Sequence, residues 1–227
     1  ETESEWSRLP PLTMNRIFEV WGAVWIVHRL RALGFSGMAV QSLGTDIPEG
    51  ATWSLRRENV HVTLDYEGSP ARLEFDALPP VDERSGSKVE WAIKNQFADA
   101  GRTVFGSREA CSPDYILRIE GPRGKVMAVG DACLADPDFH KKSDNDKVTT
   151  VANYRNSIHW WVDGRVCDCH PLGGFVLFPG PSARWNIYRA ATCAQDVWLF
   201  CPEPRRADTS PAQRFDHFFE LLLAEVL

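Results

Sequence analysis

Three carboxylates stand in settings that ordinary surface acids lack. Glu19 lies inside the apolar run of residues 17–27, and a buried carboxylate is costly unless it is paired or holds a metal ion. Gly22 and Ala23 follow one turn later on its face, small enough to let another backbone or a ligand approach. A salt bridge to an arginine from elsewhere and a metal ion are the two expected partners. Asp114, after Pro113, stands at the mouth of the apolar segment 115–119, and Asp131 ends the segment 126–129 after Gly130. The turn Gly121-Pro122-Arg123-Gly124 between them predicts a hairpin, which brings both aspartates to the same end of two adjacent strands. Carboxylates that close repel each other, and a hard divalent cation relieves the repulsion. Aspartate at strand ends is also common turn chemistry, so the pair alone leaves both readings open.

The cysteines offer different chemistry. Cys167-x-Cys169-His170 is a compact set of soft ligands, with Cys193 and Cys201 downstream. Structural zinc takes ligand pairs two to four residues apart in each half; this spacing is tighter in the first pair and wider in the second. Cys133 with His140 or His159 is a nominal nucleophile and base, but no cysteine-protease context surrounds it. Arg56-Arg57, Lys141-Lys142 and Arg205-Arg206 either rim a DNA site or are solvated surface pairs, and Trp160-Trp161 is expected as packing at a helix end.

The elements that must carry these residues follow from periodicity. Residues 14–33 have apolar positions at helical spacing and a stop at Gly34. Val60, Val62, Leu64 and Tyr66 alternate with polar residues as a strand does, as do Leu73 and Phe75 after the turn-like Glu67-Gly68-Ser69-Pro70. Residues 79–88 resemble a loop and 89–100 a weak helix. The strands of the hairpin come next, then a charged loop over 139–146 and a helix over 147–161. Buried strands are expected at 175–178 and 197–200, and a last helix starts at Ser210-Pro211, with Phe215, Phe218, Phe219, Leu222, Leu223 and Val226 as its stripe. This order belongs to the α/β class.

Ser112-Pro113-Asp114 followed by Asp131-Ala132-Cys133 resembles the PD-(D/E)xK signature of restriction-endonuclease-like nucleases, and is most similar to domains related to the cleavage subunit of McrBC-type restriction systems. Phe18-Glu19-Val20-Trp21 looks like the family's early helix with its active-site glutamate. Asp144-Asn145-Asp146-Lys147 with Ala152-Asn153-Tyr154-Arg155-Asn156-Ser157-Ile158 resembles the helix after the catalytic hairpin, and Phe178-Pro179-Gly180 the next strand end. The resemblance spans residues 14–227. It implies a mixed β-sheet flanked by helices, with residues 35–99 as a β-rich elaboration of a single domain covering 1–227. It also implies Mg²⁺ or Mn²⁺ held by Glu19, Asp114, Asp131 and the backbone carbonyl of Ala132, with Tyr154 and Arg155 at the substrate phosphate or fixing the carboxylates. The family's lysine, which serves the attacking water and the scissile phosphate, is replaced by Cys133. A thiol carries no fixed positive charge. Two explanations follow: a cation arrives from elsewhere, with Lys147 as first candidate and Lys141, Lys142 and Arg155 nearby, or the site is a relic.

Composition is compatible with this. The chain has 227 residues, 44% hydrophobic and 11% aromatic, with nine Trp and twelve Phe, ample for a packed core. A net charge of −6 argues against a strongly basic nucleic-acid binder held mainly by phosphate contacts. Six cysteines are too sparse for a disulfide scaffold, which points to free thiols in a reducing cytoplasm. No membrane span and no signal peptide are evident, and the start at Glu1 is that of a processed chain or a piece of a longer one. The expected function is a Mg²⁺-dependent DNA nuclease of a prokaryotic defence or restriction system; the alternative is a degenerate nuclease fold acting as a DNA-binding or assembly module. Expected partners are DNA, an AAA+ NTPase or other modules of a longer chain, and a second copy as a homodimer.

Overall fold

The computed structural model describes residues 11–42, 51–66, 87–91, 113–134, 147–162, 165–179, 197–202 and 210–227. The expected strand at 73–75, the loop at 139–146 with His140, Lys141 and Lys142, Cys111, Cys193 and Arg205-Arg206 lie outside these residues.

The chain runs α1 (Pro11–Ala32), β1 (Ser36–Ser42), β2 (Ala51–Arg57), β3 (Val60–Tyr66), β4 (Ser87–Trp91), β5 (Tyr115–Gly121), β6 (Gly124–Ala132), α2 (Lys147–Ser157), β7 (Ile158–Val162), β8 (Arg165–Leu177), β9 (Val197–Phe200) and α3 (Ser210–Val226). The strands form a mixed sheet in the order β1-β2-β3-β5-β6-β8-β7-β4, with β9 also on β8. From β1 to β6 all pairing is antiparallel, whereas β6, β8 and β9 are parallel. The long β8 serves two neighbourhoods: its first residues pair with β7, which in turn pairs with β4, and its last lie between β6 and β9. The class is α/β, a mixed sheet with flanking helices. Strands β1 to β3, from the expected elaboration, run on in that sheet through the β3–β5 pairing.

Helix α1 ends as its sequence demands. Gly34 takes a positive φ of 87°, and the Phe35 N–H returns to the Leu30 carbonyl at 3.0 Å, the closing bond of a left-handed C-terminal cap. That turn drops Phe35 edge-on against Phe219 of α3, with ring centroids 5.5 Å apart. Helix α3 lays Phe215, Phe218, Phe219, Leu222, Leu223 and Val226 into the core, where Phe218 meets Phe175 of β8. Arg29 of α1 and Asp216 of α3 join the two helices through paired contacts at 2.5 and 3.1 Å. Successive strand residues face opposite sides. Phe175 faces α3, and at Gly174 a side chain would meet Val151 of α2, so α2 covers the other face.

Two expectations are corrected. The helix predicted over 147–161 stops at Ser157, and residues 158–162 form β7. Trp160 is therefore a fully buried strand residue rather than a helix-end one. The segment 87–91, expected as loop and then helix, pairs with β7 as β4. In both cases sheet pairing overrides a local pattern that also satisfies helical spacing. Among the described residues no helix is long and apolar enough to cross a membrane.

Candidate active site

The hairpin register is what assembles the site. Tyr115 of β5 opposes Gly130 of β6, so Asp114 and Asp131 are the next opposed pair, at the end where β6, β8 and β9 all finish. The crevice beyond the carboxyl ends of parallel strands is where α/β sheets place ligands. Asp131 lies within β6 rather than after it, because the strand continues to Ala132. It is 1% exposed. Its Oδ1 accepts the Asp114 N–H at 3.4 Å, and Asp114 Oδ2 accepts the Ala132 N–H at 2.7 Å. The two side chains also interact directly, and that contact favours the neutral form of Asp114. Burial, and then the charge of Asp131, push the Asp114 carboxyl well above the usual carboxylate range.

Lys147, the first residue of α2, reaches this pair. Its Nζ donates to Asp131 Oδ2 at 2.5 Å. Burial alone would lower the ammonium pKa, but the charge and hydrogen bond of Asp131, followed by Asp114 and Cys133, raise it above the ordinary lysine value. Lys147 is thus within electrostatic reach of Cys133, the residue at the motif-lysine position. Cys133 itself is buried, its N–H bonded to the Leu177 carbonyl at 2.8 Å.

Glu19 approaches from α1. It is half-buried, and both the charge of Asp131 and that of Lys147 act on its carboxyl. Burial raises that carboxyl above its ordinary value, and Arg16, whose Nη1 is 3.6 Å from Glu19 Oε2, pulls it back. A hydrogen bond from Tyr66 also favours the ionised form. The expected salt bridge thus comes from the same helix, one turn earlier. Tyr115 Oη donates to the Glu19 main-chain carbonyl at 2.8 Å. Gly22 is small because of this tyrosine: a Cβ there would collide with Tyr115 Oη and with Leu177. Ala23 is fully buried.

The structure therefore brings Glu19, Asp114, Asp131, Ala132, Cys133 and Lys147 to one end of the sheet. Tyr154 and Arg155, expected at the phosphate, sit two turns further along α2, roughly 10 Å from Lys147. The Tyr154 side chain is buried in the core, and Arg155 Nη1 donates to the Pro171 carbonyl at 2.6 Å. Arg16, Tyr66 and Tyr115 are the site residues that sequence reasoning missed. The sequence signals for them are that Arg16 stands three residues before Glu19 on a predicted helix, that Tyr115 follows Asp114, and that Tyr66 ends an alternating strand with a hydroxyl in place of an apolar side chain.

The donors fit a hard divalent cation in kind, since Mg²⁺ takes one or two carboxylates and keeps several waters. As placed, no three His, Cys, Asp or Glu side chains among the described residues close around a single point. Two of the late cysteines are occupied otherwise: Cys167 Sγ donates to the Lys125 carbonyl at 3.3 Å and Cys169 Sγ to the Ile158 carbonyl at 3.6 Å. His170 Nδ1 accepts the Leu172 N–H at 3.1 Å. No family model matches the chain, and neither do curated proteins or solved structures.

Proposed function

We propose that the protein is a Mg²⁺- or Mn²⁺-dependent DNA nuclease with a restriction-endonuclease-like fold, belonging to a prokaryotic defence or restriction system. The observation that carries this reading is Lys147 Nζ at 2.5 Å from Asp131 Oδ2, within electrostatic reach of Cys133. The positive charge lost with the motif lysine is returned from the start of the next helix. Asp114 and Asp131 would hold the metal, with Glu19 reaching it directly or through water and the Ala132 carbonyl as a further ligand. When bound, the metal lowers the pKa of a coordinated water and neutralises charge on the phosphate. The chain's own part would be to present the Asp114–Asp131 pair at the sheet end and to hold the Lys147 ammonium beside it. With a net charge of −6, much of the non-specific DNA affinity would come from a partner such as an AAA+ NTPase, another module or a second copy.

The second reading is a degenerate nuclease fold acting as a DNA-binding or assembly module. It is favoured by the absence of three converging ligands among the described residues. Cleavage of single- and double-stranded DNA with Mg²⁺ or Mn²⁺ separates the two, comparing wild type with Asp131→Ala and Cys133→Lys. Cutting that Asp131→Ala abolishes establishes a working site. Cutting gained only in Cys133→Lys marks a relic whose geometry survives, and silence from all three favours the binding module.

A further inference from the structure

Tyr66 has more in its surroundings than packing requires. It is 2% exposed, opposes Tyr115 across the β3–β5 register, and lies 6.1 Å from that ring between centroids. A phenylalanine would fill the same space. The hydroxyl instead meets the side chain of Glu19, and a buried phenol seeks such a partner because leaving it unpaired is costly. Above the same ring, at 5.3 Å from its centroid, lies the Arg16 guanidinium, which also reaches Glu19 Oε2 at 3.6 Å. The Glu19 main chain is fastened separately by Tyr115 Oη. One glutamate is thus held through its side chain by Tyr66 and Arg16 and through its backbone by Tyr115. Two of these three groups lie on strands β3 and β5, and β5 begins directly after Asp114.

From this geometry we propose that Tyr66 is a positioning residue. Its hydroxyl aims the Glu19 carboxylate at the Asp114–Asp131 pair, with Arg16 stacked on its ring as the second jaw of the clamp. This rests on the metal-nuclease reading. It also gives strand β3, from the elaboration after α1, a part in the site: the β3–β5 register sets the distance between the glutamate and the aspartates. The class of ligand served is a divalent cation with oxygen coordination. Outer contacts that orient metal-binding groups are worth roughly 10–100-fold in metal affinity.

The experiment is calorimetric titration of the whole chain with Mn²⁺, alongside the Mn²⁺ concentration that gives half-maximal DNA cleavage. Wild type, Tyr66→Phe, Glu19→Gln and the double variant are compared, with thermal unfolding as a control for folding. Tyr66→Phe is expected to weaken Mn²⁺ binding about 10-fold and to shift the half-maximal concentration by the same factor. In the Glu19→Gln background it should change neither, because its effect passes through that carboxylate. A purely structural role would lower the unfolding temperature and leave Mn²⁺ affinity alone. Equal Mn²⁺ affinity in wild type and Tyr66→Phe, or an equal loss in both backgrounds, overturns the proposal while leaving the nuclease reading intact. A wild type that takes up no Mn²⁺ and cuts nothing removes the nuclease reading, and the proposal with it. Should Tyr66→Phe not fold, Arg16→Gln tests the same clamp, with weaker Mn²⁺ binding expected and unchanged binding overturning it.

Discussion

Two aspartates are buried in the same sheet, two strands apart, and they are treated in opposite ways. Asp65 of β3 is 3% exposed and closed on all sides: Arg118 Nη2 donates to its Oδ2 at 2.6 Å and Thr52 Oγ1 to its Oδ1 at 2.8 Å. One carboxylate meets one guanidinium and one hydroxyl, and Arg118 lies over the Trp160 ring at 5.8 Å. Asp131 of β6 is 1% exposed, and its neighbours include two more carboxylates, Asp114 and Glu19, with the Lys147 ammonium beside them. A buried carboxylate with a complete local set of partners is a structural device. An excess of carboxylates that pushes the Asp114 carboxyl up has no such rationale, and groups with perturbed protonation concentrate at functional sites. The difference gives each region its own signature: the first should answer to mutation in stability, the second in chemistry.

The largest effects test that division directly. Asp131→Asn keeps the shape of the side chain and is expected to reduce metal-dependent cleavage on the order of a thousandfold or more, while moving the unfolding midpoint far less than its counterpart. Asp65→Asn leaves the partly buried Arg118 beside a neutral amide and should cost about 3 kcal/mol in urea unfolding, with cleavage per folded molecule unchanged. A reversal of either result would erase the distinction. Next in size is Lys147→Met, expected to lower cleavage roughly 100-fold by removing the substitute cation. The sharper form adds Cys133→Lys to it: recovery in the double variant would show that the charge, and not its point of origin, is what the site needs. Both are read in initial rates of plasmid cleavage.

Thr52→Val is a smaller probe of the closed region. It removes one hydrogen bond to Asp65 and should cost about 1 kcal/mol in urea unfolding, with no change in cleavage rate. A loss as large as that of Asp65→Asn would mean that the hydroxyl, and not the guanidinium, completes the buried aspartate.

Much of the frame was legible in the sequence because local pattern and tertiary demand agree. The apolar circumference of α1 with Gly34 after it, the aromatic stripe of α3 and the Gly121–Gly124 turn each have one stable solution, and the hairpin follows from that turn. Where pattern and pairing disagree, the sequence misleads. Val148, Val151, Tyr154, Ile158 and Trp161 are compatible with one helix, yet Ile158 and Trp160, both buried, also alternate as a strand does, and pairing with β8 and β4 decides. The end of β8 is expected at 175–178, but its first part is hidden by Pro171, Gly173 and Gly174, which signal a turn. The strand survives them because its register with β6 shifts between Met127 and Val129, accommodating the extra residues, and because Arg155 occupies the Pro171 carbonyl. At the site, carboxylates stand out by chemical type, and Lys147 follows from its place at the start of the next helix. Tyr66 does not, since its role comes from the β3–β5 register that no local window contains, whereas Arg16 stands one turn before Glu19 on the same helix.

The smallest expected effect is a pair of opposed slopes of stability against pH. In the open region Asp114 has its carboxyl raised, first by burial and then by Asp131. Below the ordinary carboxylate range both folded and unfolded chains hold that proton, and its contribution to stability is fully present. As pH rises, the unfolded chain releases the proton first, so the contribution is lost up to the raised folded value. In the closed region His61 shares a hydrogen bond with Ser54 at 2.8 Å, and its imidazolium is disfavoured by burial and by Arg56. Its contribution is fully present above the ordinary histidine value of 6.5 and is lost as pH falls through the lowered folded value. Asp114→Asn should remove the first slope and His61→Gln the second, in unfolding midpoints measured without metal from pH 4 to 8, roughly the span between ordinary carboxylate and histidine titration. Added Mn²⁺ sharpens the contrast. A cation that takes Asp114 as carboxylate must expel its proton, so the stabilisation by Mn²⁺ should grow with pH in wild type and lose that growth in Asp114→Asn, while His61→Gln leaves it in place. Stabilisation by Mn²⁺ that is flat with pH in wild type would mean that the cation binds without drawing on the Asp114–Asp131 proton, and that the open region differs from the closed one in charge but not in metal chemistry.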